Sequence, residues 1–246
     1  MTAAPDIWLR RFLPTGHASV WLVCFPHAGG AAGDFRRWAG LLPPEVGLLA
    51  VRYPGREERI GEPYAADLHR LADQVYAALE PLLDRPVALF GHSLGAAAAF
   101  EVGLRVQERQ PFPPSAVVLS GCRAPHLLRS EGIHLADDDT LMAEVYALGG
   151  ADTAVLDHPE LRELALPALR ADFRLIETYR PRPGSRLNTR VAVCVGDGDP
   201  EVSAGDARAW EDYAEGDFEL RVFPGGHFYL ADRPADLVAE VLRQLG

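Results

Sequence analysis

Lysine does not occur in this 246-residue chain. All 24 basic residues are arginine, set against 35 Asp and Glu, for a formal net charge of −11. The missing lysine reads as a compositional bias of a GC-rich coding sequence rather than as chemistry. The acidic balance excludes nonspecific nucleic-acid binding, which needs a basic face, and disfavours an anionic membrane surface. Cysteine is scarce. Cys24, Cys122 and Cys194 are odd in number and too widely spaced for a zinc site or a disulfide framework, and their apolar surroundings (VWLVCF, VVLSGC, VAVCVG) suit small buried residues. No apolar run reaches the roughly 18 residues of a membrane span. The opening MTAAPDIWLRRF has no charged segment leading into an apolar stretch, so no signal peptide is expected. Repeats and low-complexity tracts are missing too. A cytoplasmic protein folding as one domain over residues 1–246 is the expectation, since α/β folds of this length are routinely single.

Short, nearly continuous apolar runs at Val20–Phe25, Leu48–Tyr53, Val87–Phe90, Ala116–Ser120, Arg190–Val195 and Glu219–Phe223 read as strands covered on both faces. Amphipathic or alanine-rich stretches between them (Asp67–Leu83, Leu94–Glu108, Asp206–Tyr213, Pro234–Leu245) read as helices. The alternation predicts an α/β fold, a mostly parallel sheet flanked by helices. One interval breaks the rhythm. Residues 123–185 hold no clear strand but carry helical periodicity at Leu141, Met142, Val145 and Leu148, and again at Leu161, Leu164, Leu169, Phe173 and Ile176. That is too long for an ordinary connection, so it is expected to be a helical lid inserted over one end of the sheet. Pro167 should start a new helix there or kink one.

The chemistry is concentrated at strand ends. Gly91-His92-Ser93-Leu94-Gly95 is a G-x-S-x-G match lying between a strand pattern and a helical one. That is the setting in which such a serine sits exposed on a sharp turn of an α/β-hydrolase. A serine hydroxyl needs a neighbouring base, and of eight histidines only His227 lies beyond the last strand pattern, in Pro224-Gly225-Gly226-His227-Phe228. The acid should follow the strand before it, where Gly196-Asp197-Gly198-Asp199-Pro200 offers two aspartates. Pro200 biases Asp199 towards an extended backbone that projects its carboxylate, whereas Asp197 suits the turn itself. Oxyanion donors are expected from the N–H of Leu94 and from the loop His27-Ala28-Gly29-Gly30, through Ala28. His27 and His92 are expected to orient backbone or to pack.

Together FPHAGG (25–30), RYPGRE (52–57), GHSLG (91–95), GDGDP (196–200) and PGGHF (224–228) resemble the type II, editing thioesterases that accompany polyketide synthases and nonribosomal peptide synthetases. The resemblance runs nearly end to end. It implies an α/β-hydrolase fold with a flexible helical lid, Ser93, Asp199 and His227 as catalytic triad, and Ala28 with Leu94 as oxyanion hole. It further implies hydrolysis of acyl thioesters on the phosphopantetheine arm of an acyl or peptidyl carrier protein, with no metal and no cofactor of the enzyme's own. Two alternatives share the sequence pattern: a carboxylesterase or lipase for small esters, and a noncatalytic binding protein on the same fold. Met142, Val145 and Phe173 are candidates for lining an acyl chamber. A monomer is expected, and Arg123, Arg129 and Arg180 are the arginines near the insertion that could meet a carrier protein. Arg56 of the RYPGRE segment is expected to form a structural salt bridge rather than to touch substrate.

Overall fold

The computed structural model describes residues 5–12, 18–149 and 158–245; residues 150–157 of the expected insertion lie outside these. Seven strands form one sheet: β1 (Leu9–Arg11), β2 (Val20–Phe25), β3 (Val46–Val51), β4 (Val87–His92), β5 (Ala116–Ser120), β6 (Arg190–Gly196) and β7 (Phe218–Phe223). Their order across the sheet is β1-β3-β2-β4-β5-β6-β7. All neighbours run parallel except β1, which pairs antiparallel with β3. β1 is not among the expected strands because three residues cannot display a period. The expected strand Leu48–Tyr53 instead spans Val46–Val51, its start hidden in the sequence by Gly47.

Alternate side chains along the strands enter two separate cores, as the two-residue period requires. Trp21, Val23, Phe25, Leu89, Val117 and Leu119 face one side, where α1 (Leu68–Leu79) and α2 (Leu94–Arg109) pack. Leu22, Cys24, Ala88, Phe90, Val118 and Cys194 face the other, covered by Phe35, Trp38 and the last helix. The stripe expected on α1 is the buried one (Leu68, Leu71, Ala72, Val75, Leu79), and the Asp67 carboxylate caps the helix by accepting from the Arg70 N–H at 2.8 Å.

Within 123–185 the described residues form α3 (Asp138–Leu148) and α4 (Pro159–Thr178) with two short 3-10 turns before them. Leu141, Met142, Leu166 and Leu169 make a small core of their own. Helix α4 begins at Pro159 and runs through Pro167. The proline therefore does not start a helix; it lies inside one, among the buried Leu166, Ala168 and Leu169. Beyond β6 come the short α5 (Ala204–Arg208) and, after β7, α6 (Pro234–Gln244).

The direction of chain progression reverses between β2 and β4: β3 lies to one side of β2, and β4, β5, β6 and β7 follow on the other. Such a switch point opens a crevice at the carboxyl ends of the strands. Phe25 and Gly91 are register partners there, so the loops leaving β2 and β4 start side by side. Among the described residues no helix is long and apolar enough to cross a membrane.

The three cysteines are free and buried, and burial pushes each thiol up, Cys122 to about 12. The native protein should therefore leave all three unreacted towards a thiol-exchange reagent at mildly alkaline pH, and titrate three after unfolding in guanidinium.

Candidate active site

Ser93 stands between β4 and α2 with φ 54° and ψ −122°, a conformation costly for any residue with a Cβ. The turn is closed by the Ser93 N–H donating to the Ser120 carbonyl at 2.8 Å and by the Ala96 N–H donating to the Ser93 carbonyl at 2.9 Å. Its tightness explains the flanking glycines. A Cβ on Gly91 would lie 2.0 Å from the Gly95 carbonyl oxygen, and one on Gly95 would lie 2.1 Å from that of Phe25. Leu94 is the first residue of α2, so its N–H has no acceptor within the helix and stays available beside the serine. The helix N-terminus adds positive potential at the same place.

The loops after β6 and β7 supply the other two groups. Asp199 Oδ2 accepts from His227 Nδ1 at 2.8 Å, with the aspartate side chain 0% and the histidine 1% exposed. Asp199 Oδ1 accepts the backbone N–H groups of Glu201 (2.8 Å) and Val202 (3.1 Å). Burial alone would raise this carboxyl, but the His227 bond and the two N–H groups outweigh it and hold it below the usual carboxylate range. A carboxylate can only accept, so the neutral His227 ring carries its proton on Nδ1 and presents Nε2 as a lone pair. That Nε2 is buried and meets no hydrogen-bond partner among the described residues. Asp197 does different work: its carboxylate accepts the Gly225 N–H at 2.9 Å and so ties down the loop that carries His227.

His92 and His27 flank the group. The His92 and His227 rings lie 4.9 Å apart, those of His27 and His92 6.1 Å, and Phe228 packs edge-on or tilted against all three. His92 Nδ1 bonds Ser120 Oγ at 2.9 Å, which in turn bonds the Tyr229 hydroxyl at 2.6 Å. Desolvation, then the neighbouring imidazoles, keep both flanking rings neutral; His27 is pushed down to about 4 and His92 falls well below its ordinary value.

Ser93, His227, His92, His27 and Ala28 all line one cavity of about 720 Å³. From the insertion, Val145, Leu148, Ala165, Leu169 and Phe173 give it an apolar wall, while the 3-10 segment Ala32–Gly40 contributes Phe35, Trp38 and the exposed Arg36 and Arg37. Val145 and Phe173 thus reach the cavity. Met142 does not: it is 2% exposed within the insertion's own core, because its face of α3 turns towards Leu166 and Leu169. The 32–40 wall escaped the sequence reading because 3-10 turns carry no 3.6-residue stripe. Arg123 is buried and paired with Glu201, so it is not free surface charge, whereas Arg180 is exposed and donates to the Glu177 and Tyr179 carbonyls. Arg56 forms a bidentate pair with Asp172 of α4, both bonds 2.7 Å. Among the described residues no cluster of three or more His, Cys, Asp or Glu could hold a metal ion.

A mostly parallel sheet with an elbow serine after one strand and a paired histidine and aspartate after two later ones defines an α/β-hydrolase. The chain belongs to the thioesterase family: the thioesterase-domain model matches residues 21–245. A probable cadicidin biosynthesis thioesterase of Streptomyces griseus is 42% identical over 100% of this chain and 68% of its own length. Thioesterase PikA5 of Streptomyces venezuelae is 42% identical over 92% of this chain and 81% of its own. The solved structure of the type II thioesterase BorB from the borrelidin biosynthetic cluster superposes with a TM-score of 0.91 at 39% identity, covering 100% of both chains.

Two measurements follow from this geometry. Gly95→Ala forces backbone apart at the elbow and should lower the unfolding free energy by about 3 kcal/mol in urea titration. The pH dependence has a definite sign. An imidazole held below its ordinary value takes up a proton on unfolding, so stability rises with pH between about 4 and 6.5 for His27 and is lost as pH falls. The Asp199 contribution is present above the ordinary carboxylate value of 3.8 and is lost only below it. His27→Gln should reduce the rise of the urea midpoint with pH across the upper window, with the part due to His92 remaining, and leave the acid limb in place.

Proposed function

We propose that this thioesterase is of the type II, editing kind: it hydrolyses acyl thioesters from the phosphopantetheine arm of carrier proteins in polyketide or nonribosomal peptide biosynthesis. Support for the substrate comes from the relatives' biosynthetic clusters and from the cavity. Its apolar wall at Val145, Leu169 and Phe173 suits an acyl chain, and Arg36 and Arg37 offer guanidinium groups suited to the arm's phosphate. The insertion 123–185 then serves as the lid of a single α/β-hydrolase domain.

The observation that carries the mechanism is the buried His227 ring, fixed by Asp199 on one nitrogen and open on the other, on the same cavity wall as Ser93. Ser93 Oγ attacks the thioester carbonyl as His227 Nε2 takes its proton. The carbonyl oxygen becomes an oxyanion stabilised by the N–H groups of Ala28 and Leu94. Collapse breaks the C–S bond, and the imidazolium returns its proton to the leaving thiolate. Water then attacks the acyl-enzyme, giving one proton to His227, which hands it back to Ser93 Oγ as the free acid departs. Asp199 keeps the tautomer and stabilises the imidazolium without taking the proton. The flanking His27 and His92, held neutral, add no competing charge.

Incubated with an acyl-carrier protein, the enzyme should release free acid, and Ser93→Ala should slow this at least about 10³-fold. Comparison of kcat/KM with a simple oxygen ester of the same acid separates the readings: a strong preference for the oxygen ester would identify a carboxylesterase instead.

A further inference from the structure

The loop that offers Ala28 is held from the insertion. Its turn is closed by the Gly30 N–H donating to the His27 carbonyl at 3.0 Å. The His27 carbonyl and the Ala28 N–H belong to one planar trans peptide and point in opposite directions. The turn that fixes one therefore aims the other. Two side chains brace this turn. Asp172 Oδ2 accepts the Gly29 N–H at 2.8 Å, and Arg56 Nη1 donates to the Gly30 carbonyl at 2.9 Å. Arg56 and Asp172 are joined to each other by both oxygens of the carboxylate, with side chains 10% and 3% exposed. A planar guanidinium fork is the group that can satisfy both oxygens and a carbonyl at once.

The neighbourhood is built around this brace. Glu57, next to Arg56, holds φ 47°, a conformation a non-glycine residue keeps only when its surroundings enforce it. Gly29, at φ 76°, lies so close to α4 that a Cβ there would come 2.5 Å from Leu169 Cδ2. The loop after β2 therefore meets the helix of the insertion through the side chains of Leu169 and Asp172.

From this geometry we infer that Arg56 and Asp172 are positioning residues for the oxyanion donor at Ala28, so that the oxyanion hole is complete only while α4 is seated on the β2 loop. Closure of the insertion then does more than enclose the acyl chain: it sets the catalytic geometry. The inference rests on the reaction proposed above and adds a dependence of its rate on an ion pair that touches neither substrate nor Ser93.

The test compares wild type, Asp172→Asn, Arg56→Lys and Glu177→Gln on one acyl-carrier protein, with thermal melts of each. Glu177 also lies on α4 and accepts the Ile133 and His134 N–H groups, so its variant loosens the insertion without touching the β2 loop. Asp172→Asn and Arg56→Lys should lower kcat about 10- to 100-fold with KM within about threefold, as expected when an oxyanion donor is misaimed. Affinity for an alkyl boronic acid, whose adduct with Ser93 places an oxygen in the oxyanion hole, should fall in parallel with kcat/KM. Glu177→Gln should lower the melting temperature without that selective loss of kcat. Wild-type kcat in folded Asp172→Asn, or a loss confined to KM, or boronate affinity unchanged while kcat falls, would overturn the inference and leave the proposed reaction standing. Full activity in Ser93→Ala would remove the reaction and the inference together.

Discussion

The site depends on how closely backbone can approach backbone at the carboxyl end of the sheet. Ser93 is held in a strained conformation because β4 turns into α2 without a spacer, and the turn closes only because positions 91 and 95 lack side chains. The same economy recurs where the loops after β6 and β7 meet. Gly196 and Gly198 of the acid loop lie against the Gly225 and Gly226 carbonyls of the histidine loop, where a Cβ on Gly196 would come within 2.4 Å. Strain stored at the serine is sustained by the sheet on one side and a sixteen-residue helix on the other.

Burying charge and imidazole so densely is tolerable because nearly every polar atom has a partner. Asp199 uses both oxygens, Asp197 secures the neighbouring loop, and the Tyr229–Ser120–His92 chain orients a ring that never needs to ionise. In the cavity, His227 Nε2 and His92 Nε2 are both buried ring nitrogens without a hydrogen-bond partner among the described residues, and of the two only the His227 ring is held by a carboxylate. His227 and Ser93 line the same cavity, which has an apolar wall. The low titration of the flanking histidines follows from the same burial, so the site's electrostatics and its packing have one cause.

Much of this was legible from residue order. Six of the seven strands and the helices that follow them coincide with apolar runs and stripes, because a parallel sheet buried on both faces leaves an almost uninterrupted apolar signature. Ser93, Asp199 and His227 could be singled out because each sits at a strand end with glycine or proline beside it. The 3-10 wall at 32–40, the edge strand β1 and the burial of Met142 were not legible. Short or irregular segments have no period, and which side of α3 faces the cavity depends on how α3 meets α4.

The sequence by itself determined the order of strands and helices, the elbow, and the residue types available at each loop, since local periodicity and backbone preference act over a few neighbours. Tertiary structure alone decided that Asp172, 116 residues from Arg56, would close a fork on it and brace the turn beside Ala28. It also decided that the turn residue Asp197 would accept the Gly225 N–H and so tie down the histidine loop. Pairings of this kind depend on distances between elements, and those are set by how two cores pack on one twisted sheet, a constraint that no local stretch of sequence contains.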